Sequence, residues 1–137
     1  MTSPSGRFVA APLAGTTLDL GPDADFVLAE WQDDGRSPGA LIAPPHIHLE
    51  DDEAWYVLEG RLGFRIGDEE VDAPAGTAVY GLHGIAHTYW NPDPAPARYL
   101  LVMRPRTIRL IDALHDAPRD RAALEALFRD HAVTLLG

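Results

Sequence analysis

Short apolar runs recur about every ten residues between positions 26 and 103, each closed by a turn-forming residue, and this rhythm confines the chain to an antiparallel all-β architecture. Candidate strands are 26–32 (FVLAEWQ), 41–49, 54–59 (AWYVLE), 62–66 (LGFRI), 69–72, 77–82, 87–91 and 98–103. Asp33-Asp34-Gly35, Gly60 and Gly67-Asp68 supply sharp reversals between them. In Leu62-Gly63-Phe64-Arg65-Ile66 the bulky apolar residues alternate, so one face is buried and the other is wet. Twelve glycines and twelve prolines in 137 residues suit such a succession and disfavour a helical bundle. The expected form is a sandwich or small barrel. Weaker edge strands are expected at 7–9 and 16–20. Pro44 and Pro45 fall inside the 41–49 run and predict an edge or distorted strand there, because neither can donate to a ladder.

The period changes at Thr107. Leu110, Ile111 and Leu114, then Leu124, Leu127, Phe128 and His131, fall at three- and four-residue spacings. They predict two short helices that close one end of the barrel, with Pro118 near the start of the second. The chain thus divides into a barrel with its N-terminal strands over 1–106 and a helical segment over 107–137 that packs on it within the same domain.

Composition narrows the chemistry. Eleven basic against 21 acidic residues leave a formal charge of -10, a field that opposes binding to nucleic acid or to an anionic membrane surface. All eleven basic residues are arginines, which excludes Schiff-base and lysine general-base mechanisms. The absence of cysteine removes disulfides, thiolate metal sites and thiol nucleophiles. The start of the chain is polar from Met1 to Arg7, and no apolar run approaches the ~20 residues of a membrane span. The expectation is a soluble, cytoplasmic protein without nucleic-acid or membrane partners, whose chemistry rests on six histidines and on carboxylates.

Those histidines are patterned. His46 and His48 lie two apart, on one face of an extended segment. Glu53 follows at an odd offset that would point it the other way on an unbroken strand, and a turn or bulge at 49–52 can bring it back. His87 opens another strand. Three imidazoles and a carboxylate suffice to hold a divalent transition metal with one or two positions left open. Side by side in a core without a metal, each ring nitrogen left unpaired would cost about 1–3 kcal/mol. A lone buried histidine is more often a structural residue satisfied by a hydrogen bond; four such groups at related spacings are harder to explain that way.

In spacing and order these residues resemble the cupins, whose first motif is Gly, five residues, His-x-His, three or four residues, Glu, six residues, Gly. This chain has His46-x-His48, four residues, Glu53, six residues, Gly60, with Gly39 one position early and Ala40 at the expected place. The second cupin motif is Gly, five residues, Pro-x-Gly, two residues, His, three residues, Asn. Here it reads Gly76, five residues, Leu82-His83-Gly84, two residues, His87, three residues, Asn91, with Leu82 where the family has Pro. The tail from Arg129 to Gly137 resembles those of small cupins similar to quercetin dioxygenases. The resemblance implies a double-stranded β-helix or jelly-roll barrel, with a metal (Fe, Mn, Ni, Cu or Zn) inside one end on His46, His48, Glu53 and His87. Gly60, Gly76 and Gly84 read as turn residues, and Asn91 as a turn hydrogen-bonder.

Strand alternation then nominates the surroundings. Tyr89 shares the inward face of His87, as Trp55 and Val57 share that of Glu53, with Leu101 and Met103 opposite Leu62, Phe64 and Ile66. The pocket is expected to be apolar and aromatic, with the hydroxyls of Tyr80 and Tyr89 as polar groups. His83 is a candidate acid–base group at the rim, although an exposed turn histidine is the plainer reading. Arg65, Arg98 and Arg104 are candidates for holding an anionic substrate, against the commoner reading of solvated or salt-bridged strand arginines. The leading expectation is a metal-dependent enzyme acting on a small molecule, with dioxygenase-like oxidation of an aromatic or enol substrate and catalytic roles for Glu53, Tyr89 and His83. A metal-dependent isomerase, cyclase or lyase and a non-catalytic small-molecule binder are the alternatives. A homodimer is expected, with the N-terminal strands contributing.

Overall fold

The computed structural model describes residues 9–137. The described chain forms β1 (Thr17–Leu18), β2 (Val27–Asp33), β3 (Leu41–His48), β4 (Glu53–Glu59), β5 (Arg61–Ile66), β6 (Glu69–Pro74), β7 (Ala78–Gly81), β8 (His87–Trp90) and β9 (Ala97–Met103). Helices α1 (Pro105–Asp116) and α2 (Arg121–Asp130) follow, then a last strand β10 (Val133–Leu135). The strands make two five-stranded antiparallel sheets, in the orders β1-β2-β9-β4-β7 and β10-β3-β8-β5-β6. This is the expected jelly roll. The core lies between the sheets, where Val27, Trp55, Val57, Phe64, Leu101 and Met103 meet. Alternation is cleanest in β9, the middle strand of the first sheet: Ala97, Tyr99, Leu101 and Met103 point inward while the residues between them are half-buried.

Glycine is required where the backbone is most constrained. Gly60, between β4 and β5, has φ +69°, and a Cβ there would stand 2.5 Å from the Pro96 carbonyl oxygen. Gly63, inside β5, leaves room for the Trp90 indole, which a Cβ would strike. Buried Asn91 ties the loop after β8: its amide donates to the Ala95 carbonyl at 2.8 Å and to Asp33 at 3.1 Å, and its oxygen accepts from the Asp93 amide.

Several expectations are modified. The strand expected at 7–9 falls on Arg7 and Phe8, outside the described residues, and Val9 lies in no strand. The run at 16–20 shortens to the two residues of β1. β3 is not an edge strand, since it lies between β10 and β8, yet it is distorted as its prolines require: register shifts fall between Leu41 and Ala43 and between Ala43 and His46. Pro118 lies between the helices. α2 starts instead at Asp120, whose carboxylate accepts from the Ala123 amide. Helical structure does not continue to residue 137, because the chain reverses at Ala132, with φ +57°, and its end returns to the second sheet as β10. No helix among the described residues is long and apolar enough to cross a membrane.

Candidate metal centre

β3 delivers His46 and His48 from one face, and His87, the first residue of β8, stands directly opposite His46 in the ladder. Glu53 reaches them by another route. Residues 49–52 carry the chain from the second sheet to the first, so Glu53, at the head of β4, faces the imidazoles across the barrel. The odd offset after His48 is therefore resolved by a change of sheet. This crossover is fixed at several points: the Leu49 amide donates to the Ala132 carbonyl at 2.8 Å, the Gly84 amide to the His48 carbonyl at 2.7 Å, and Arg106 of α1 to buried Asp51 at 2.8 and 3.0 Å.

All four donors are buried, and their ligand atoms lie within 4.8 Å of one another. Glu53 Oε1 is 2.7 Å from His48 Nε2, 2.9 Å from His87 Nε2 and 4.0 Å from His46 Nε2. The His46 and His48 Nε2 atoms are 3.1 Å apart. Donors about 2.0–2.2 Å from one ion, with neighbours at right angles, stand roughly 3 Å apart, so this set fits a first-row divalent metal. His46 Nδ1 donates to the Pro44 carbonyl at 2.6 Å, which leaves the Nε2 lone pair turned to the cluster. The Nδ1 atoms of His48 and His87 have no hydrogen-bond partner. Burial alone would push the Glu53 carboxyl up, but the three imidazoles gathered around it, with His48 and His87 in hydrogen-bond contact, outweigh burial and hold the group well below the usual carboxylate range. Glu53 is an anion surrounded by imidazoles.

Above the donors is a chamber of about 70 Å³. Trp55 packs edge-on to His87 with ring centroids 5.4 Å apart, and its ring lies 5.5 Å from that of Tyr89, which stacks on Phe64. The Tyr89 hydroxyl shares a 3.0 Å hydrogen bond with that of Tyr99. Burial, followed by the Tyr99 hydroxyl and the Glu53 charge, pushes the Tyr89 phenol well above its ordinary value; burial pushes Tyr99 up to about 12. Both are hydrogen-bonding phenols near neutral pH.

The structure brings His46, His48, Glu53, His87 and Tyr89 together around this chamber, with Trp55 and Leu101, and leaves the other nominees outside it. Val57, Leu62, Phe64 and Met103 belong to the core, and Ile66 packs against it. His83 is half exposed on the turn after β7, with its Nδ1 2.6 Å from Asp52 and its backbone amide donating to the same carboxylate. Tyr80 corrects the expectation of a pocket hydroxyl. It is exposed on the outer face and donates to Asp52, because β7 turns Val79 and Gly81 inward. Arg65 is exposed, Arg98 is paired with Glu30 and Glu59, and Arg104 lies 4.0 Å from Asp51. Among the described residues no arginine lines the chamber. Its outer wall, comprising Thr107, Leu110, Ile111 and Leu114 of α1 and Phe128 of α2, was not nominated as lining, although the helical spacing of those apolar residues carried the signal.

Comparison with known proteins agrees with this geometry. The Cupin domain family matches residues 36–103. A protein of Thermus thermophilus, TT1209, is 26% identical with a TM-score of 0.54, over 66% of this chain and 82% of that one. A sugar phosphate isomerase of the cupin superfamily from Silicibacter pomeroyi is 28% identical with a TM-score of 0.52, over 59% of this chain; the match spans 51% of that protein, about half its length. A cupin protein of Bacteroides fragilis shares the fold at 14% identity and a TM-score of 0.56, over 71% of this chain and 82% of that one. No curated protein matches the chain. The matched segment contains all four converging donors and the strands that present them, and on that ground the chain belongs to the cupins.

Proposed function

We propose that this protein is a metal-dependent enzyme that oxidises a small, uncharged enol or related compound in a dioxygenase-like reaction, with the ion held by His46, His48, Glu53 and His87. The observation that carries this reading is the setting of the donors: four converging ligand atoms beneath a chamber whose walls are almost wholly apolar and aromatic. When bound, a first-row ion supplies Lewis-acid and redox chemistry at positions the protein leaves open. The chain's own residues do the rest. Trp55, Leu110 and Ile111 keep water from the reacting centre. Glu53 borders the chamber and, once loosened from the ion, is placed to accept the proton that a bound enol gives up. The Tyr89 phenol, held protonated, can donate a hydrogen bond. His83 lies outside the chamber and has no part in this scheme. Both oxygen atoms of dioxygen enter the product, so no external reductant is needed.

Of the two substrate types expected from the sequence, the compact enol suits a 70 Å³ chamber better than an aromatic compound. Isomerisation of a sugar phosphate, the activity in the Silicibacter pomeroyi protein's name, is less well supported, since a phosphate would meet no arginine among the described residues that line the chamber. Oxygen uptake by the metal-loaded protein with compact enolisable ketones tests the proposal. Uptake that disappears in the Glu53→Gln protein is expected; full metal loading with no uptake across such a series would refute the oxidation.

We infer in addition that two copies pair through the outer face of the first sheet. Leu18, Leu28, Val102, Ala54 and Tyr80 form one apolar row across all five strands, with Ala78, Tyr56 and Leu100 in the row beside it. The chain carries a charge of -10, yet the first of these rows bears none, and Glu30, which continues the second beside Leu100, is paired with Arg98.

A further inference from the structure

We propose that Phe128 is the residue that sets the size of ligand the chamber admits, restricting the protein to molecules more compact than a benzene ring. This rests on the functional reading above only in taking the chamber to be the substrate site. An apolar cavity of about 150 Å³ takes up benzene. The present chamber, at about 70 Å³, is less than half as large. Most of its wall cannot recede. The barrel side is held by strand ladders, and α1 continues from β9 with only Arg104 between them.

The contribution of α2 is a single side chain, that of Phe128, which is also the one buried residue of that helix. Its ring stands edge-on to His46 with centroids 6.4 Å apart, so it caps the chamber beside a donor. It is braced from behind by Leu110 of α1 and Val133 of β10. β10 in turn pairs with the His46–His48 stretch of β3, Val133 opposite His48 and Leu135 opposite His46. The aromatic cap therefore packs on the strand that is hydrogen-bonded to the donor-bearing stretch of β3, and a retreat of the ring would disturb that packing. The other helical wall residues are smaller: Thr107, Leu110, Ile111 and Leu114. Truncation at 128 thus opens more space beside the donors than truncation at any of them.

The test uses the full chain, with metal content measured first, and two variants, Phe128→Ala and Phe128→Val. Benzene is the apolar probe, since its binding needs no metal. Saturating benzene is expected to leave the wild-type melting temperature unchanged and to raise that of Phe128→Ala by several degrees. In metal-loaded protein, catechol affinity should rise at least tenfold in Phe128→Val, whereas affinity for hydroxyacetone, a compact enolisable ketone, should change by less than twofold. If Phe128→Ala fails to fold, the catechol and hydroxyacetone comparison in Phe128→Val decides. A benzene shift in the wild-type protein equal to that in Phe128→Ala, or equal gains for catechol and hydroxyacetone, would overturn the proposal. A wild-type protein that holds no metal would count against the functional reading and leave the benzene result intact.

Discussion

Tyr89 and Tyr99 share a buried hydrogen bond between the two sheets, and their phenols make the fold sensitive to alkali. Tyr99 titrates near 12 in the folded chain because burial opposes the phenolate, against about 10 when unfolded. Its folded value is raised, so its contribution is fully present below pH 10 and is lost as pH rises toward 12. Two units correspond to roughly 3 kcal/mol. Denaturant titrations at stepped pH should show this decline between about pH 10 and 12, and a Tyr99→Phe protein should show a flatter curve. Equal slopes in the two proteins would contradict the assignment. The four donors were legible because the spacings of two motifs identify them without knowledge of strand facing. Tyr80 was not, because facing depends on register: Glu53 pairs with Gly81, so Gly81 turns inward and Tyr80 outward, and a shift of one residue reverses both.

At the scale of elements, the strands from 26 to 103 were legible in their apolar alternation, whereas β10 was hidden. Its three residues, Val133, Thr134 and Leu135, continue an apolar spacing that reads as helix, and only tertiary pairing with β3 makes them a strand. β3 shows the complementary point. Pro44 and Pro45 announced a distortion but not its use, which is to let pairing resume at His46 opposite His87. Since β10 flanks the donor-bearing half of β3, and the Leu136 amide donates to the Pro45 carbonyl at 2.9 Å, removal of residues 133–137 should loosen the centre. Competition with a chelator is expected to show at least tenfold weaker metal retention in the truncated protein, together with a lower melting temperature. Unchanged retention would mean that β10 braces the fold but not the donors. Arg106 makes a second tie, from α1 to Asp51 and Glu50 in the crossover that leads to Glu53.

For the whole molecule, the all-β class and the two helices closing one end of the barrel followed from rhythm and composition, but neither the outer apolar face nor the helical side chains that line the chamber followed, since both depend on which elements become neighbours. Pairing through that face predicts a dimer in light scattering, and Tyr56→Glu, which places a charge beside Leu100, should yield a monomer with metal content unchanged. A wild-type monomer would end that reading. The central claim is that His46, His48, Glu53 and His87 form one metal centre, and elemental analysis of the wild-type and His87→Ala proteins, purified side by side and offered the same metal, tests it most directly. The account predicts one first-row ion per folded wild-type chain and a loss of most of it in His87→Ala. Full metal content in His87→Ala, or a folded wild-type chain that takes up none, would contradict it.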